Sequence, residues 1–397
     1  MFDITIEQSV LAKALEFLEP TVGKNCNQLG DNCVSMMTNG NGAMVMYTTN
    51  TIEYTRLEVI VGMGGTSVDQ APYVDFKRLK AIVSSIPANE VISIKASVND
   101  LVISYGLKAT PVTLVGSTNG MLPLPLNNFT SAAMVTIPKD VVVKALNNAT
   151  AIIVDNDSAP IYNCIRIATC GMAVDFTAVD TVSKRTFMNA AVATQNNPQA
   201  EILVEASALK KSLKIFCDFQ DLDMYMDANM VRIDGAVMSS NASKTNGMIS
   251  SVIYYMRRLN GAFPPHIKNN FVPGPQEFCE IHKEELLASF ARVKALEDSS
   301  TGGQIGFEVN GSNCLITMKS AYGSVEDSII MENVSTKSFK TVFKHQNISD
   351  IIKVLPTDIV EIGALPNHPS NYVVKAKGCT DVMFTVPTMI AAGGNNP

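Results

Sequence analysis

The stretch from Pro72 to Gly106, PYVDFKRLKAIVSSIPANEVISIKASVNDLVISYG, reads as a helix followed by a β-hairpin. Its apolar Phe76, Leu79, Val83 and Ile86 recur at steps of three and four, one face of a helix, which turns Lys77, Arg78 and Lys80 outward. Pro87 stops the helix. Beyond it, apolar and polar residues alternate on either side of Asn99 and Asp100, the mark of two half-buried strands joined by a turn.

The same module occurs twice more. SALKKSLKIFCDF, from Ser207, precedes the hairpin LDMYMDANMVRIDG, and KHQNISDIIKVL, from Lys344, precedes DIVEIGALPNHPSNYVVKAK. Upstream of each module lie another amphipathic helix and another hairpin. These are EQSVLAKALEFL with CVSMMTNGNGAMVMYTT, PKDVVVKALNNAT with NCIRIATCGMAVDFTAV around Gly171, and HKEELLASFARVKAL with QIGFEVNGSNCLITMKSAY. Helix, hairpin, helix, hairpin at a similar spacing in three copies predicts an α+β chain of three similar domains. Pro- and Gly-bearing stretches around 122–128 and 263–275 set the boundaries, giving domains 1–127, 128–268 and 269–397.

With 397 residues, 46% of them hydrophobic, the chain is long enough for several cores. A net charge of -6 excludes a protein that coats nucleic acid or an anionic membrane by bulk charge. Yet the second helix of every copy carries more bases than acids: Lys77, Arg78 and Lys80, then Lys210, Lys211 and Lys214, then Lys344 and Lys353. Solvation explains any one such face. Recurrence at equivalent positions in three copies predicts a surface that touches phosphates without reading sequence.

Catalytic and metal chemistry finds no footing. Eight cysteines without a CxxC read as buried free thiols. His266, His282, His345 and His368 are scattered and read as surface or loop histidines rather than ligands. Asp218, Asp221, Asp223 and Asp227 lack the Gly and closing Glu of a calcium loop, so a solvated strand face is the expectation. Gly62, Gly64 and Gly65 precede no Lys-Ser/Thr pair and read as a loop. No cofactor, metal or catalytic set is predicted, and with neither a signal peptide nor a membrane-spanning run the reading is cytoplasmic, with no membrane partner.

Five segments, in this order, resemble the bacterial sliding clamps, the beta subunits of DNA polymerase III: LAKALEFLEPTVGK, PYVDFKRLKAIVSSIP, EELLASFARVKAL, FKHQNISDIIKVLPTDIVEI and the closing VMFTVPTMI. The resemblance spans nearly the whole chain. It implies the DNA-clamp fold, with two helices per domain packed on antiparallel β-sheets, in a head-to-tail homodimeric ring around double-stranded DNA. Such a ring is a non-catalytic processivity factor whose partners are DNA, the replicative DNA polymerase and the clamp loader. The DNA-facing residues it implies are Lys24 in the first loop, Lys77, Arg78, Lys80, Lys144, Lys210, Lys211, Lys214, Arg292 and Lys353.

The resemblance also implies an apolar groove between the second and third domains that receives a partner peptide. Its lining would be Tyr162, Val179, Val182, Ser183, Lys184, Arg258, Leu259, Phe384, Val386, Pro387 and Thr388. Here the run from Val179 to Lys184 keeps only Asp180 of the family's pattern, and Pro387 is retained in the terminal signature. At the dimer interface, Val112 and Leu114 would meet Ala295 and Leu296. The altered Val179 to Lys184 run also supports an alternative, a clamp-like peptide-binding regulatory scaffold that does not encircle DNA. An enzyme on a repeated β-rich fold is a weaker third reading, since no site can be named for it.

Overall fold

Each copy begins with a strand that runs straight into its first helix. In the computed structural model Phe2–Glu7 leads into α1 (Gln8–Leu18), Ala133–Pro138 into α3 (Lys139–Ala149) and Cys279–His282 into α5 (Lys283–Ala295). Second strands likewise lead into the second helices: Val74–Asp75 into α2 (Phe76–Ser85), Arg185–Glu205 into α4 (Ala206–Ile215) and Phe339–Lys344 into α6 (His345–Val354). The structure describes residues 2–23, 32–38, 42–50, 52–63, 71–106, 111–117, 133–153, 160–180, 183, 185–227, 229–235, 248–259, 261, 263, 277–298, 302–336, 338–366 and 368–389. Both predicted linkers fall almost wholly outside these residues, as do Lys24, Val182 and Lys184.

Local chemistry explains the helices. Asp75 caps α2 by accepting from the Arg78 backbone N–H at 2.9 Å, and Asn32 holds the other carboxylate oxygen at 3.0 Å. Phe76, Leu79 and Val83 are buried on the inner face of α2, each stabilising the fold by roughly 1.5–3 kcal/mol. α5 carries Glu284 and Glu285 in its first turn and Arg292 and Lys294 in its last, matching the helix dipole at both ends.

Sheet topology repeats with the sequence. In the first copy Phe2–Glu7, Val91–Ala96, Asp100–Tyr105 and Val112–Val115 lie side by side in that order. The second copy repeats it with Ala133–Pro138, Asp221–Met226, Met230–Gly235 and Ile249–Arg257, and the third with Cys279–His282, Ile359–Leu365, His368–Ala376 and Val382–Pro387. A second set of strands, Glu53–Ile60, Ala43–Thr49, Cys33–Thr38 and Val74–Asp75, has its third-copy counterpart in Gly323–Ile330, Asn313–Ser320, Gln304–Asn310 and Phe339–Lys344. In the middle copy Cys164–Asp180 and Arg185–Glu205 take this place, and the left-handed Gly171 (φ 63) with exposed Cys170 and Met172 marks the predicted turn.

The last strand of one copy joins the second set of the copy before it. Ile249–Arg257 pairs antiparallel with Glu53–Ile60 to make an eight-stranded sheet, and Val382–Pro387 pairs with Arg185–Glu205 to make a six-stranded one. The chain accordingly divides into two compact units, Met1–Val142 with Ala193–Ile202 and Ser207–Arg258, and Val143–Val192 with Leu203–Ala206 and Leu259–Pro397. The middle copy contributes to both.

Two expectations are corrected. Cys164, Cys279 and Cys314 are buried, but Cys170 and Cys217 are exposed, because each lies just beyond an apolar run rather than inside it. His345 is no surface histidine: it opens α6, is 2% exposed, lies against Phe290 and shares a 3.0 Å contact with Glu297. No helix among the described residues is long and apolar enough to cross a membrane.

Candidate functional site

The outward faces of α2 and α4 carry the cations that the helical spacing predicts. Lys77, Arg78, Lys210 and Lys214 are all exposed, and none forms an ion pair among the described residues. Their neighbours are engaged. Lys80 meets Glu19 at 2.8 Å and Lys211 meets Glu53 at 2.6 Å. Lys13 of α1 lies 3.3 Å from Asp218 beyond α4; burial would lower its pKa, but Asp218 and Glu16 raise it above the ordinary lysine value.

The second unit treats its cations differently. Lys144 of α3 is 2.9 Å from Asp381, Arg292 of α5 donates to Asp327 at 2.7 Å, and Lys353 of α6 is 3.5 Å from Asp350. Each predicted DNA-facing residue here already has a carboxylate partner.

An apolar cluster in the same unit gathers part of the predicted groove. Cys164, Val179, Leu203 and Phe263 form its buried floor, with Tyr162, Met188, Leu259 and Met383 half-buried around it. Burial pushes the Cys164 thiol up to about 12, so it acts as a small apolar side chain. The cluster brings together Tyr162, Val179 and Leu259 of the expected groove with Met188, Leu203, Phe263 and Met383, which the resemblance did not name. Strand alternation in RTFMN and DVMFTVP holds the missing signal, since Met188 and Met383 stand directly opposite each other.

The same alternation places two of the predicted groove residues in the interior. Phe384 and Val386 have no exposed surface, and Phe384 packs on Phe187 with ring centroids 5.2 Å apart. They point to the opposite face from Met383, into the core. Pro387 and Thr388 are half-buried, and the chain then passes along two strands, Thr388 N–H donating to the Ser370 carbonyl at 2.7 Å and Met389 N–H to Val342 at 2.8 Å. Arg258 donates to the Asp227 carbonyl at 3.2 Å and so braces the hairpin next to it.

Ser183 belongs to a buried network centred on Arg185, which the sequence reading passed over. Arg185 pairs with Asp180 at 3.1 Å, donates to Ser183 Oγ at 2.7 Å and to the Ala151 carbonyl at 3.1 Å, and lies 3.9 Å from Asp350. Arg185 and Asp180 are 6% and 4% exposed, so the pair holds the turn between their strands rather than a ligand.

Of the predicted dimer residues, Val112 and Leu114 lie on an edge strand and Ala295 and Leu296 at the end of α5. Among the described residues Val112–Val115 has a neighbour on one side only, with Val115 79% exposed and Val112 exposed, while Leu114 is mostly covered. Gly323–Ile330 is likewise an edge, and Ile330 is 73% exposed. Ala295 is exposed, and half-buried Leu296 lies beside Gly323. The aspartates suspected of forming a strand face take local roles, Asp223 accepting from Thr136 and Asp227 from the N–H groups of Asn229 and Met230.

No protein-family model matches the chain, and no curated protein does. Solved structures match it over nearly its full length. The DNA polymerase sliding clamp from Pseudomonas aeruginosa superposes with a TM-score of 0.82 at 14% identity, covering 98% of this chain and 100% of that one. The beta chain of DNA polymerase III from Streptococcus pneumoniae gives 0.81 at 16% identity over 98% and 100%. The beta subunit from Thermotoga maritima gives 0.79 at 14% over 99% and 100%. The clamp fold implied by the sequence resemblance is therefore the fold of this chain.

Proposed function

We propose that this chain, with its sliding-clamp fold, is a non-catalytic DNA polymerase processivity factor of the cytoplasm. Two copies close head to tail into a ring of six domains, the domains of each running over 1–127, 128–268 and 269–397. The ring holds duplex DNA, and processivity comes from effective concentration, because a tethered polymerase rebinds its template before it diffuses away.

The observation that carries ring closure is topological. Inside the chain, the last strand of the second copy pairs with Glu53–Ile60 of the first, and the last strand of the third with Arg185–Glu205 of the second. The next pairing in that series would join Val112–Val115 to Gly323–Ile330. Among the described residues both are edge strands with exposed valine and isoleucine, a state that isolated proteins avoid. Pairing each of these edges with its counterpart in a second copy satisfies both, twice over, and closes the assembly with two-fold symmetry.

The apolar cluster bounded by Tyr162, Met188, Leu259 and Met383 would take the apolar side chains of a linear peptide from the polymerase or clamp loader. Light scattering over a dilution series tests the ring. A species at twice 42.8 kDa is expected, and Val112→Asp with Val115→Asp should return it to monomer. A natural chain that stays monomeric at every concentration overturns the ring. In that case the peptide-binding scaffold, which the paired cations of the second unit also suit, becomes the first reading.

A further inference from the structure

The two strand junctions inside the chain follow one plan, yet their ion pairs have opposite polarity. At the junction of the first and second copies, Glu53 is the first residue of its strand and 5% exposed, and its carboxylate meets Lys211 of α4 at 2.6 Å. At the junction of the second and third, the first residue is Arg185, 6% exposed, paired with Asp180 of its own copy at 3.1 Å and facing Asp350 of α6, which also meets Lys353 at 3.5 Å, across 3.9 Å. Register makes the positions equivalent. Met256 stands opposite Glu53, and extending the Thr186 to Thr385 pairing by one residue puts Val386 opposite Arg185. Lys211 and Asp350 are each the sixth residue of their helix.

We infer that these two pairs form a charge code that specifies which copy docks on which. Three similar domains with interchangeable edges could pair in the wrong order, within a chain or between chains. Docking the third copy on Glu53–Ile60 sets Asp350 against Glu53. Docking the second copy of one chain on the Arg185 strand of another sets Lys211 against Arg185. The first brings two carboxylates together where Glu53 is almost fully buried and water screens little; the second sets Lys211 on a guanidinium whose charge Asp180 already offsets, so it carries the smaller penalty.

The remaining junction carries no code. Its strand position is Gly323, whose φ of +148 disfavours any side chain, and the sixth residue of α2 is Ala81. That seam, which rests on the ring reading, is left to apolar contact and backbone pairing. The code itself rests on the two internal junctions alone.

The test reverses one pair. Glu53→Arg with Lys211→Asp gives both junctions a base on the strand and an acid on the helix, so the wrong dockings become attractive. Refolding from denaturant, followed by size-exclusion with light scattering, should then show a severalfold larger fraction above the natural chain's mass, growing with protein concentration. Glu53→Arg alone should lower the thermal midpoint, and adding Lys211→Asp should restore it. Should the reversed variant fold poorly, Glu53→Gln with Lys211→Gln removes the repulsion without creating attraction, and a smaller rise is expected. A mass distribution matching the natural chain at every concentration in both variants overturns the code. Failure of the ring reads out separately, as a natural chain at 42.8 kDa.

Discussion

The helices of the first unit and those of the second carry cations at similar places on their outward faces, but in different electrostatic states. Among the described residues the side chains of Lys77, Arg78, Lys210 and Lys214 form no ion pair, whereas those of Lys144, Arg292 and Lys353 each meet an aspartate. An exposed pair is worth only ~0–1 kcal/mol to the fold. It matters more for binding, because a phosphate must compete with a carboxylate already in place. Counting bases along a helix therefore overstates what a nucleic acid would meet. Of the residues proposed to face DNA, those without an ion pair among the described residues lie in the first unit.

The largest effect should come from reversing that charge. Replacing Lys77, Arg78, Lys210 and Lys214 together with Glu should abolish retention on circular DNA. The matching alanine variant should lower the slope of log affinity against log salt by about three to four, near one per lost phosphate contact. Retention unchanged by the glutamates would move DNA off these helices and break the comparison.

Next in size are two changes confined to the second unit, where polar and aromatic groups are spent on the interior. Arg185→Ala strands the buried Asp180 carboxylate and should cost about 3–5 kcal/mol in denaturant unfolding. Phe384→Ala should cost ~3–5 kcal/mol by leaving a cavity beside Phe187. Neither should alter the salt slope for DNA.

Met188→Asp with Met383→Asp should weaken a partner peptide by more than about tenfold, 1.4 kcal/mol, in a fluorescence titration, while the dimer mass stays unchanged. The smallest effect is expected from Lys144→Ala, Arg292→Ala and Lys353→Ala combined, each within ~1 kcal/mol of the natural stability and with the DNA salt slope unmoved. A steep loss of DNA binding here would show that the aspartates yield to phosphate, and the two units would then be alike.

Much of the fold was legible because it rests on periodicity. The steps from Phe76 to Leu79 to Val83, written again at Leu209, Leu213 and Phe216, need no tertiary information to be read. The proposed groove was harder. Whether Phe384 or Met383 faces inward depends on the phase of the strand against Phe187 and Met188, residues almost two hundred positions away, and a one-residue error exchanges the two faces. Lys211 looked like its neighbour Lys210 for a related reason. Only the packed structure brings Glu53 under it, and nothing local in EYTRLEVI announces that its first residue has a helix partner. Arg185 hid behind the altered run just before it, where the family pattern no longer served as a guide.

The eight-stranded sheet also sets a timetable for synthesis. Glu53–Ile60 leaves the ribosome about 190 residues ahead of Ile249–Arg257, the strand that completes it. At about 5–20 residues per second, this edge stays open for roughly 10–40 s, long enough for a neighbouring nascent chain to find it. Glu53, Arg56 and Glu58 place charge along that edge, which discourages premature pairing until the chain's own second copy arrives.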